Sequence, residues 1–130
     1  MIVAWMLVAT LAASPPADPL EGVWRGTSIC QIRSSPCKDE QVVYHIARSA
    51  SARGYRINMN KLVAGAEEEM GALDARFDPA LATLQAETLD RQGRTGRWVF
   101  KLTRGHLSGR LLVSGGTLYR LIEVSRQSPR

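Results

Sequence analysis

Past residue 20 the chain alternates between apolar and polar positions in short runs separated by turn residues. Gly54–Asn60 is the clearest case. Tyr55, Ile57 and Met59 share one face, while Arg56, Asn58 and Asn60 share the other. A period of two is that of a half-buried antiparallel strand. Gly22–Ile29 forms an earlier strand, and Gln41–Arg48 follows with Val42, Tyr44 and Ile46 on one face. Lys61–Glu69 reads as a connection whose Gly65–Glu69 part is a loop. Met70–Phe77 is the fourth strand, with Gly71, Leu73, Ala75 and Phe77 together, and Asp78-Pro79 turns the chain. Ala80–Thr88 is expected as a fifth strand, although its pattern also suits a helix.

After a turn at Arg91–Gly96, Arg97–Leu102 directs Trp98, Phe100 and Leu102 inward. Leu107–Val113 and Thr117–Val124 form a last hairpin around Ser114-Gly115-Gly116. About eight strands at near-regular spacing, joined by short turns, predict an all-β antiparallel meander. Closing that meander into an eight-stranded barrel removes its exposed edges. The single domain is expected over residues 21–125, with a frayed tail at 126–130.

The N-terminus follows another rule. Residues 1–13 (MIVAWMLVATLAA) carry no charge and are almost wholly apolar, and a breaker-rich stretch from Ser14 to Pro19 follows. This layout predicts a signal peptide over 1–13 and a flexible proline-rich linker over 14–20. The run is too short to span a membrane as a helix. The expected location is therefore secreted or periplasmic, where thiols oxidise. Cys30 and Cys37, the only two cysteines, enclose a turn-rich loop. They are expected to form a disulfide, since no tight zinc-type pair accompanies them.

Glu21-Gly22-Val23-Trp24 at the head of the first strand resembles the Gly-x-Trp opening of lipocalin-like (calycin) barrels. The resemblance implies a small secreted β-barrel whose floor closes where an arginine of the last strand stacks over the tryptophan. Arg120 is the residue expected in that role, opposite Trp24. The chain departs from true lipocalins in being shorter, in having no room for a C-terminal helix and in lacking their middle Thr-Asp-Tyr motif.

Composition narrows the chemistry. The 130-residue chain is 45% hydrophobic and 22% charged, values of an ordinary globular protein. Residues 61–90 hold two basic and seven acidic side chains, net −5, whereas residues 91–130 hold nine basic and one acidic, net +8. A basic surface attracts anionic partners. No aromatic-basic RNA-binding motif appears, so no nucleic-acid partner is expected; a membrane surface stays open as a partner. His45 and His106 show no local partner and read as a strand-surface and a turn histidine. No phosphate-loop, dinucleotide, zinc-protease or nucleophile-elbow motif is present, and Glu67-Glu68-Glu69 lacks a calcium-loop frame. No catalytic residue, metal or cofactor is expected.

The expectation that results is a monomeric, non-enzymatic binding module for a small apolar ligand, lined by Tyr44, Tyr55, Ile57, Phe77, Trp98 and Phe100. The competing expectation is a protein-binding role, as an inhibitor of an exported hydrolase or an envelope partner engaged through the processed N-terminal segment.

Overall fold

A computed structural model describes residues 4, 5, 7, 18–50 and 53–128. The expected signal segment, apart from Ala4, Trp5 and Leu7, lies outside the described residues, as do linker residues 14–17.

Eight antiparallel strands close into a barrel in simple chain order: β1 (Gly22–Cys30), β2 (Glu40–Arg48), β3 (Gly54–Val63), β4 (Ala66–Asp78), β5 (Thr83–Leu89), β6 (Thr95–Thr103), β7 (His106–Val113) and β8 (Thr117–Arg126). The meander expected from alternation is therefore the fold, an architecture consistent with a calycin-like barrel. Residues 83–89 are strand, which resolves the strand-or-helix ambiguity of that segment.

Two boundaries differ from expectation. Residues 66–69 belong to β4, because β3 and β4 are joined by a tight turn at Ala64-Gly65, with φ of 51° and 80°. Left-handed conformations at both central residues give the turn the twist a hairpin needs. Acidic side chains disguised this stretch as a loop, yet they tolerate a half-exposed strand. At the other end, β8 continues to Arg126, and the backbone N–H of Arg126 donates to the Gly105 carbonyl at 2.9 Å. The tail is thus shorter than expected.

Inward positions fill the barrel. Trp24, Tyr44, Ile57, Leu84, Phe100, Leu107, Ile122 and Val124 are all essentially inaccessible to solvent. The Tyr44 and Phe100 rings meet edge to face at 6.3 Å, and Trp98 lies nearly parallel to Phe100 at 6.5 Å. Such pairs add to the stabilisation from area burial alone. The closing seam is tight: a Cβ on Gly26 of β1 would sit 1.8 Å from the Glu123 carbonyl oxygen of β8.

Candidate functional site

The two ends of the barrel differ. One is closed by the chain entering β1. Leu20 is fully buried there, and the Trp24 indole Nε1 donates to its carbonyl at 2.8 Å. Asp18 ties the entry down. Its carboxylate accepts the backbone N–H groups of Leu20 (2.8 Å) and Glu21 (3.0 Å), the Tyr55 hydroxyl (2.9 Å) and the Arg48 guanidinium (3.1 Å). Burial pushes the Asp18 carboxyl up, but these hydrogen bonds outweigh it and hold the group below the usual carboxylate range. Burial, followed by the bond to Asp18, pushes the Tyr55 hydroxyl up to about 12. Residues 18–20, expected in a flexible linker, are therefore part of the barrel floor.

The floor arginine is Arg126, not Arg120. The Arg126 guanidinium carbon stands 5.9 Å from the Trp24 ring centre, and Nη2 donates to the carbonyls of Asp18 (2.6 Å) and Glu21. The reason is the antiparallel register of β1 with β8, which sets Trp24 opposite Arg126 and Cys30 opposite Arg120. The last strand therefore presents Arg120 at the far end of the barrel. The Trp–Arg floor pair that the resemblance implied is present, with a different arginine supplying it.

Arg120 serves the open end. Its Nη1 donates to the carbonyls of Lys38 (3.0 Å) and Ser28 (3.3 Å) and to the Ser28 hydroxyl (3.2 Å), and Nη2 stands 3.7 Å from Glu40. Tyr44 lies in the same field. Burial, followed by the Glu40 charge, pushes its hydroxyl well up and keeps it a neutral donor.

Above Arg120, the loop from Gln31 to Asp39 crosses the rim. Cys30 and Cys37 lie at disulfide distance, with Cα atoms 5.9 Å apart. The loop is held from inside as well: the Gln31 N–H donates to the Tyr119 carbonyl at 2.9 Å, and the Ser35 hydroxyl lies 3.4 Å from the Tyr119 hydroxyl. Between this loop and the β6–β7 wall opens a mouth pocket of about 610 Å³. Pro36, Leu89, Trp98, Leu111, Val113 and Tyr119 supply its apolar surface, and Asp90 and Arg94 stand at its edge. The Trp98 indole N–H is buried and has no hydrogen-bond partner. An unpaired buried donor costs about 1–3 kcal/mol.

The six expected ligand-lining residues do not form one site. Tyr44, Tyr55, Ile57 and Phe100 are packed in the core. Trp98 lines the mouth, and Phe77 reaches a separate cleft in the wall. Alternation identifies which residues face inward but not at what height along the axis each one sits. Leu111, Val113 and Tyr119 carried the missing signal, being inward or bulged positions near the same strand ends as Trp98.

Both histidines have partners, contrary to the reading of isolated residues. His45 Nε2 lies 2.6 Å from Glu67, whose carboxylate also accepts from Asn60 at 3.1 Å. These bonds, His45 first, draw the Glu67 carboxyl below its usual range. His106 opens β7 rather than lying in the turn. Its Nδ1 is 3.0 Å from the Ser125 hydroxyl, and its Nε2 bonds Glu123, which accepts from Ser108 at 2.7 Å. Cross-strand register, invisible locally, makes both pairs. Among the described residues, no group of three potential metal ligands comes together.

No family model, curated protein or solved structure matches this chain.

Proposed function

We propose that this protein is an exported, monomeric binding module that takes a small apolar ligand in the mouth of its barrel. Binding rather than catalysis is its role. The observation that carries this reading is the mouth pocket, apolar on most of its wall. Its volume falls within the range of small-molecule sites, and so does its mixture of apolar wall with few polar groups. The ligand is a small, largely apolar molecule. The cysteine pair at the rim suits an oxidising compartment and holds the covering loop in place.

Native mass spectrometry of the protein exported from its own host, followed by denaturation, tests this reading. Extra mass lost on denaturation is the expected result. Titration with the uncharged probe N-phenyl-1-naphthylamine complements it: V113W narrows the mouth and should abolish the fluorescence gain. A bare native mass together with probe binding unchanged in V113W would refute the assignment. A second reading, partner capture by the N-terminal segment, loses support because Asp18–Leu20 are engaged in the floor.

A further inference from the structure

The β6–β7 hairpin carries positive charge on its outer wall. Residues 90–113, the hairpin with the turn before it, hold six basic side chains and one acidic, net +5. Trp98 and Phe100 point inward, so Arg97, Val99 and Lys101 point out. On β7, Arg110 and Leu112 alternate with the buried Gly109 and Leu111 and also point out. The acids facing this wall from the neighbouring strands are Glu87 of β5, opposite Arg97, and Glu123 of β8, which bonds His106 and Ser108. Counting both, the wall keeps net +3. Lys101 Nζ donates to the Leu81 carbonyl and Arg97 Nη2 to the Gln85 side-chain oxygen at 3.4 Å, so both of these bonds go to uncharged groups.

Aliphatic side chains stand among these cations. Strand register aligns Val99, Arg110, Leu121 and Ile29 in one outward row across β6, β7, β8 and β1, and sets Leu112 opposite Arg97 in the next row towards the mouth. Leu121 and Ile29 keep 38% and 37% of their surface in water, and Leu89, where β5 ends at the mouth, keeps 71%. Exposed aliphatic residues grouped on one face point to a docking surface. We propose that this wall docks the barrel on an anionic lipid surface, with the mouth edge at Leu89 turned to the lipid.

The combination selects the occupant. Cations draw the wall to negative headgroups, and long basic side chains can hold their charge at the headgroups while their stems and the neighbouring aliphatic residues face the acyl boundary. A soluble polyanion would meet the cations and leave Val99, Leu112, Leu121 and Ile29 in water. A second copy of this chain, paired through the same face about a two-fold axis, would set two hairpins of like charge against each other. The opposite side of the barrel lacks this character: there Arg56 of β3 lies 3.5 Å from Asp74, and residues 61–90 carry net −5. The mouth pocket opens at the end of the docking wall, since Leu89, Arg94, Trp98 and Val113 all line it. Docking rests on the outer wall alone and does not require the pocket to be filled.

The test is cosedimentation of protein exported from its own host with vesicles of phosphatidylcholine alone or mixed with phosphatidylglycerol. Binding to the mixed vesicles, weakened by added salt, and little binding to the neutral ones is the expected result. R110Q should weaken it about fivefold, and R97E/R110E at least about 25-fold, from the headgroup attraction each basic residue supplies. I29S/L121S should weaken it as well, since the aliphatic row meets lipid. R56E makes the same charge change on the far side of the barrel and should leave binding nearly unchanged. Melting curves and N-phenyl-1-naphthylamine titration without vesicles show that each variant is folded, and they report on the mouth pocket separately from docking. Equal binding to neutral vesicles, or no binding to either kind, overturns the proposal. So does an equal loss in R56E and R110E, which would make net charge the cause, or unchanged binding in I29S/L121S, which would make the wall a site for polyanions. A dimer formed through this face in the absence of lipid would overturn it too.

Discussion

Replacing Trp24 tests the closed end of the barrel. Its indole is wholly buried, donates to the Leu20 carbonyl and lies beneath Arg126. W24A removes that packing at a cost of about 3–5 kcal/mol. A domain of this size is stable by only about 5–15 kcal/mol, so the variant should be marginal or unfolded. W24F retains most of the buried ring but leaves the Leu20 carbonyl without its donor, at a cost of about 1–3 kcal/mol. R126M keeps the aliphatic stem over the ring and loses the guanidinium contacts, whereas R120M disturbs only the open end. Urea unfolding followed by far-ultraviolet circular dichroism gives the free energies without relying on Trp24 as the reporter. In a W98F background, near-ultraviolet dichroism in the tryptophan band then reports the Trp24 environment. The tryptophan signal should change in R126M and not in R120M. A loss below about 1 kcal/mol in W24A, or a near-ultraviolet change in R120M alone, would refute this account of the floor.

Three further outcomes follow from the same geometry. G26A should cost about 3 kcal/mol or more, since the added methyl meets backbone rather than a movable side chain, and amide exchange should speed up selectively along β1 and β8. D18N should lower the melting temperature near pH 7. Because the Asp18 carboxyl is held below its ordinary value, its stabilisation is present above the unfolded carboxylate range and fades as pH falls through the native value, so melting curves of variant and wild type should converge in acid. Replacing Cys30 and Cys37 together with serine should cost about 2.5 kcal/mol, and limited proteolysis should then cut within residues 31–39.

The contrast between Trp24 and Arg120 shows how far sequence reasoning reaches. Gly22-x-Trp24 pointed to a floor, and an arginine on the last strand was the right kind of partner. The choice of arginine depended on counting along an antiparallel pair: a residue near the start of β1 meets the end of β8. Arg126 lay in a stretch taken for a tail, because a polar strand end looks like a loop when its partner strand is unseen. Glu67–Glu69 were misjudged for the same reason. Asp18 shows the reverse problem, since a proline-rich approach reads as flexible until its hydrogen-bond partners Tyr55 and Arg48 are known to converge on it.

Period-two alternation and turn residues were enough to determine the strands, their inward faces and the closed meander, because each depends on local geometry and on neighbours in sequence pairing. Two nearby cysteines on a turn-rich loop likewise made their pairing legible. The height of each inward residue along the barrel axis, the cross-strand partners of His45 and His106 and the mouth pocket were decided only by the tertiary structure. Those features depend on register between strands and on where a ladder stops. Register is set by all the packed side chains at once, so no single segment carries it.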